Sequence, residues 1–273
     1  LLDRVEFTTK NGNTLVIPMY DGADGYFFDS VDGLDPVKAI LVSSSSANVD
    51  GEQYQSSRRE PRNLVFKMGV DVSQIFGSVS QLRRKMMGLL MPKAEVTLRF
   101  FSDDFPAVDI VGIVETFDWP LFVEEPEVTL TILCHKPDFI DLATATVASQ
   151  TTPGSVETVI DYEGSIETGF KFRMAVNRAL SGFTILHRSP TDILSSFEFE
   201  EALVAGDLLE ISTVTGSKEV MLTRAGTKSS ILYAMAPYSN WINLFPGANR
   251  ISVVAEGAGI GYSIEYINRY GGL

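Results

Sequence analysis

The carboxylates, histidines and glycine-rich runs that catalysis or ligand binding would draw on fall into small groups. Glu124-Glu125 and Glu200-Glu201 are carboxylate pairs, but glycoside hydrolysis needs two carboxyls facing each other across a substrate, which neighbours along a chain do not provide. His135 and His187 are the only histidines. Neither has a His-x-x-x-His partner or an acidic cluster at ligand spacing, so both read as structural. Asp21-Gly22-Ala23-Asp24-Gly25, with Asp29 beyond, suggests calcium but lacks the full run of alternating oxygen ligands, so it reads as a turn-rich loop. Gly257-Ala258-Gly259-Ile260-Gly261 lacks the Lys-Ser/Thr and following helix of a phosphate loop and reads as a hairpin turn. No nucleophile, base and orienting group come together, so the expectation is no enzyme, no cofactor and no metal. Tyr233, Tyr238 and Trp241 are a possible glycan platform if exposed and core or interface if buried.

The densest functional signal is instead a charged run, Arg58-Arg59-Glu60-Pro61-Arg62-Asn63, entering the apolar strand Leu64-Val65-Phe66-Lys67-Met68. Pro61 removes a backbone donor, which confines a strand to an edge, a start or a bulge. The cluster then lies where chains can meet, or serves as a solvated edge that opposes aggregation. Downstream, Val72, Ile75, Val79, Leu82, Met86 and Leu89 recur at spacings of three and four and form one apolar helical stripe. Ser73 is the expected cap and Pro92 the stop. Arg83, Arg84 and Lys85 sit on the other face, expected near the C-terminal end of the helix dipole. Gly77 and Gly88 each cost about 1 kcal/mol relative to alanine in a helix interior, which hints at close approach by another backbone.

The ordered pieces Gly33 to Pro36, Asp50 to Glu52, Arg58 to Phe66, Val72 to Leu90 and Pro92 resemble the N-terminal domain of the distal tail protein (Dit) family of long-tailed, siphovirus-like bacteriophages. A second stretch, Gly206 to Val220 followed by Trp241 to Ile251 and a terminal strand ending Asn268 to Leu273, is similar to the galectin-like, carbohydrate-module-like C-terminal domain of the same family. The resemblance implies a hexameric ring at the tail tip that joins the last ring of the tail tube protein to the tail-associated hub or fibre protein, with the tape measure protein a further possible neighbour. It places the chain in the virion, assembled in the host cytoplasm, with DNA passing through the ring. Arg58, Arg59, Glu60, Arg62, Asn63, Arg83 and Arg84 become candidate subunit-interface residues. The alternative is a carbohydrate-binding module for host-surface glycans, which would be monomeric.

Length and composition fit two domains of ordinary globular character. Hydrophobic residues at 45% and charged residues at 21% exclude a disordered chain, and no apolar run reaches transmembrane length. The first residues lack a basic region followed by an apolar stretch, so no secretory signal is expected. The net charge of -13 is spread evenly, with 20 acidic against 13 basic residues before Asp138 and 15 against 9 from it onward. Such a surface repels nucleic acid, and specific binding to it is not expected. The single cysteine, Cys134, excludes an internal disulfide and reads as a buried thiol.

The domain boundary is expected near Asp138 to Ser155, where residues 143–155 are small, polar and end in breakers. Residues 1–140 are expected as the N-terminal domain, a β-sandwich or barrel with one helix at about 72–91, which the resemblance implies forms the ring. Strands are expected at 4–8, 13–19, 38–44, 62–69, 94–101, 108–118 and 127–134. Residues 141–273 form a galectin-like or jelly-roll antiparallel sandwich with strands at 156–162, 170–176, 183–187, 196–199, 208–212, 219–222, 251–255 and 262–267. Phe245-Pro246-Gly247-Ala248-Asn249 is expected to be a tight turn.

Overall fold

The computed structural model describes residues 2–20, 25–48, 50–71, 78–120, 127–154 and 156–273. The chain is mainly β, with antiparallel strand pairing and one α-helix among the described residues. It divides into two compact units, residues 1–142 with 270–273, and residues 143–269.

In unit 1 the strands are β1 (Leu2–Thr9), β2 (Thr14–Pro18), β3 (Tyr26–Asp32), β4 (Ala39–Ser44), β5 (Gln53–Arg59), β6 (Arg62–Val70), β7 (Glu95–Ser102), β8 (Val108–Asp118) and β9 (Val128–Cys134), followed by the start of β10 (Phe139–Gln150). They pair in the order β2-β1-β7-β8-β9-β6-β3. A bridge between Met19 and Phe28, with Tyr20 N donating to Phe28 O at 3.0 Å, brings the end of β2 beside β3 and makes the sheet barrel-like. The alternation that sequence periodicity detects is the mechanism: every second residue of β6 and β9 points inward and is buried. Phe7, Phe28, Phe66, Phe100 and Phe139 meet in the core with neighbouring ring centroids 4.9–6.4 Å apart. Each such side chain contributes about 1.5–3 kcal/mol by leaving water.

The helix α1 (Val79–Leu89) buries Leu82 and Met86, with Val79 and Leu89 partly buried beside them. Ser78 is its N-cap, in extended backbone conformation. A capping box with Gln81 satisfies two backbone donors. This corrects the expected start: the extended Ser78 bounds the helix, while Val72, Ser73, Ile75 and Gly77 lie outside the described residues. Arg83, Arg84 and Lys85 stand mid-helix and the last turn holds no basic residue, too far from the end for the dipole to favour them. Gly88 is exposed, and a Cβ added there meets no atom of the described residues within 4 Å. Gly88→Ala should therefore raise the stability of the isolated chain by about 0.8–1 kcal/mol, measured by urea unfolding; destabilisation would show the site is crowded.

Unit 2 is an antiparallel sandwich. Its strands are β11 (Thr158–Tyr162), β12 (Lys171–Ala175), β13 (Phe183–Arg188), β14 (Leu194–Phe199), β15 (Leu208–Ser212), β16 (Glu219–Arg224), β17 (Thr227–Ser230), β18 (Gly247–Val254) and β19 (Gly261–Tyr270). One sheet runs β11-β18-β13-β14, and the strands β17-β16-β15-β12-β19 face it across a core that includes Phe170, Phe172, Phe183, Phe199 and Tyr262. The glycine-rich stretch at 257–261 is not a hairpin: it joins β18 to β19, which lie in different sheets. The small, polar segment expected as a linker or exchanged strand is ordered β-structure through Gln150, within β10.

The expected turn at Phe245–Asn249 is held by the buried Asn249 side chain. Its Oδ1 accepts from Phe245 N at 3.0 Å and its Nδ2 donates to Phe245 O at 2.6 Å and Gly247 O at 2.8 Å. Gly247, at φ +97°, supplies the left-handed backbone. Because Asn249 Oδ1 is an acceptor, His187 Nε2, 3.0 Å away, is the protonated nitrogen of the neutral ring, and Nδ1 accepts from Ser195 Oγ at 3.1 Å. Burial lowers the His187 pKa, opposed by the Asn249 bond.

Asp207 is also depressed, chiefly by Arg224, whose Nε and Nη2 lie 2.9 and 2.6 Å from the carboxylate. Glu210 is depressed by Lys228 and then Arg173. All three folded pKa values lie below the unfolded ones, so the unfolded chain binds more protons as pH falls. Unit 2 should keep full stability above about pH 6.5, lose some below it as His187 is forced to charge, and lose more below about pH 4.5 as the carboxylates protonate. Calorimetry across pH 8 to 3 checks this; a unit 2 melting temperature that rises on acidification would contradict it.

Candidate subunit interface

The charged motif folds into a socket rather than a surface. β6 pairs with β3 on one side and β9 on the other, so it is an interior strand. Pro61 stands just before its first residue, where a missing N–H removes no ladder bond. Arg62 is only 1% exposed, which corrects its assignment as an interface residue. Its guanidinium donates to four backbone carbonyls: Pro137 O and Asp35 O at 2.7 Å each, Gly271 O at 2.5 Å, and Gly33 O. Its face stacks on the Phe139 ring, 4.4 Å from the centroid. Burial lowers its pKa, yet arginine remains charged at neutral pH. A planar cation with five donors is the side chain best suited to gathering carbonyls from three separate segments.

The rest of the socket comes from Gly33-Leu34-Asp35-Pro36. Gly33, at φ +92°, brings its α-carbon against Asn63 O, 2.0 Å from where a Cβ would stand. Leu34 O accepts from Leu273 N at 3.0 Å, and Gly272 packs against Pro36. Two sequence motifs thus close on residues 270–273 and draw them into unit 1. Arg59 is likewise tied inward, to the buried Asp138, with Nη2 3.1 Å from Oδ2 and a second contact from Nη1 to Oδ1. Reversing its charge would therefore set two carboxylates together at a buried site and damage the fold as well as any contact between copies.

What remains at the surface is smaller than the sequence suggested. Arg58 is exposed on β5, Glu60 is half-buried, and Asn63 and Arg84 are exposed. Arg83 is half-buried, and its Nε has no hydrogen-bond partner among the described residues. The feature sequence reasoning missed is β5 itself, which among the described residues pairs only with β4. The two form a separate sheet, from Ala39 opposite Arg59 to Ser44 opposite Gln53. Leu41 is 67% exposed and Tyr54 62%, with Val42 also exposed. Tyr54 Oη donates to Ser57 Oγ at 2.8 Å, and Ser57 is the residue opposite Leu41.

The other candidate groups do not assemble a site. Tyr233 and Tyr238 are 74% and 65% exposed. Trp241, however, packs on the core with its ring 5.9 Å from Phe197 and Lys218 5.7 Å over it, so the three rings do not make one open platform. His135 is exposed and His187 is a buried structural residue. The Asp21–Asp24 loop and the Glu124-Glu125 pair lie outside the described residues. No helix among the described residues is long and apolar enough to cross a membrane. Cys134 is fully buried opposite Arg62, and burial pushes its thiol up to about 12. It should not react with a thiol reagent until unit 1 unfolds; rapid labelling of the native chain would contradict this burial.

Residues 163–270 match the family model described as "Siphovirus-type tail component, C-terminal domain". The second half of the chain thus carries the C-terminal domain of a siphovirus-type tail component. The Dit protein of phage SPP1, described as a hub adsorption apparatus in phages infecting Gram-positive hosts, shares the fold: TM-score 0.66 and 17% identity, over 97% of this chain and 98% of that one. The phage p2 baseplate in its activated conformation with strontium contains a chain matching 96% of this one and 97% of its own length, at 10% identity and TM-score 0.45, too low to carry an argument. No curated protein matches the sequence. The likeness to the SPP1 protein shows the fold, and the matched domain is that of a siphovirus-type tail component.

Proposed function

We propose that this chain forms a homohexameric ring at the tail tip, made by the N-terminal domain (residues 1–140), with the C-terminal domain (residues 141–273) presented outward. The ring joins the tail tube protein to the tail-associated hub or fibre protein, has the tape measure protein as a further neighbour, and lets DNA pass during infection. It is built in the host cytoplasm and carried in the virion.

The β4–β5 hairpin is the observation that supports this reading. A two-stranded sheet alone in water is marginally stable at best, and this one has no third strand among the described residues while exposing Leu41, Val42 and Tyr54. A second copy of the chain is the occupant a ring supplies, since a repeating contact covers every hairpin with the same surface of the next subunit. The half-buried Arg83 and the open space around Gly88 leave the helix able to take part. An acidic chain also suits a DNA passage, because it does not hold the polyanion. Electron microscopy of the purified chain should show sixfold rings; images of single two-unit particles alone would refute the assembly.

A further inference from the structure

A pocket of about 430 Å³ lies over the sheet β11-β18-β13-β14 of unit 2, and the ring reading makes no use of it. The strand register arranges its floor in two cross-strand rows. In one, Ser252 and Ser196 flank Leu186; in the other, Arg250 stands opposite Arg188, which stands opposite Leu194. The rows are two residues apart along the strands, roughly 7 Å.

Like charges placed directly opposite are unfavourable, and the compensation here is slight. Glu157 lies 3.5 Å from Arg188 Nε and 3.7 Å from Arg250 Nη1, and Asp192 lies 3.5 Å from Arg188 Nη1. These contacts are long, and both arginine side chains are partly exposed although Arg188 Nε itself is buried, so they hold the two guanidinium groups weakly. The Arg250 fork and the terminal nitrogens of Arg188 stay available to an oxyanion, which arginine grips in two-pronged fashion. Leu186 and Leu194 offer apolar surface beside them, and the serines with Asn240 offer hydroxyl and amide groups. Among the described residues no Phe, Tyr or Trp lines the pocket, and its one ring, His187, is buried and tied to Asn249 and Ser195, so it offers no open platform for stacking a nucleobase or the face of a neutral sugar.

We infer that this pocket binds an acidic saccharide. Arg188 and Arg250 take its carboxylate or phosphate, and Ser196, Ser252 and Asn240 take the hydroxyls of a pyranose laid across Leu186. Glu157 competes for the same guanidinium groups. The inference does not depend on the ring, because all these residues belong to one unit of one chain.

Calorimetric titration of the full chain with trigalacturonate, glucose 1-phosphate and maltotriose tests it. At least one anionic probe should bind while neutral maltotriose does not, and which anion binds tells a carboxylated sugar from a phosphorylated one. Arg250→Gln should weaken that binding about tenfold, as loss of one charge-assisted pair does, whereas Glu157→Gln should tighten it. Failure of both anions to bind at millimolar concentration, equal binding of maltotriose, or an Arg250→Gln protein indistinguishable from the parent would overturn the assignment.

Discussion

Arg62→Met should lower the stability of unit 1 by about 3–5 kcal/mol, the cost of breaking a buried, fully hydrogen-bonded charge site, or roughly 10–20 °C in its melting temperature. Methionine fills much of the space but leaves the carbonyls of Gly33, Asp35, Pro137 and Gly271 without their donor, and each unsatisfied buried acceptor is itself costly. Arg62→Lys should rescue little, because three donors on a tetrahedral ammonium cannot serve four acceptors that surround a planar fork. Calorimetry on the full chain separates the two units. An unchanged unit 1 transition in Arg62→Met would show that the socket is incidental.

Leu41→Asp combined with Tyr54→Ala should have the opposite profile, leaving both thermal transitions in place while abolishing the ring. Both side chains are mostly exposed in the single chain, so little packing is lost. A buried apolar anchor at an interface is worth about 2 kcal/mol or more, about thirtyfold in affinity, and the loss recurs at every contact of a closed ring. Sedimentation of the variant should show monomer. Intact hexamer would remove the hairpin from the interface.

Most strands that sequence made legible have one buried face; β4, expected at 38–44 from its apolar run, is the exception. β1, β6, β7, β8 and β9 alternate inward and outward, and that alternation can be read from their residue types. β5 and β17 could not be found this way because every residue in them is exposed, so nothing in Gln53–Arg59 or Thr227–Ser230 alternates. β3 was hidden by a bulge between Phe28 and Ser30 that breaks its period. The charged motif was recognised but misplaced. A run of arginines around a proline reads as surface from composition, and only the fold reveals that Arg62 faces the carbonyls of segments 29 and 209 residues away. The second-half turn was legible in full, since Pro246 and Gly247 specify it locally, although the Asn249 side chain that holds it gave no signal beyond its type.

The ring itself is tested most directly by the mass of the purified chain in solution, measured by light scattering across micromolar concentrations. The account predicts a species of six times 29.9 kDa, about 179 kDa. A single species at 29.9 kDa over the whole range would contradict it.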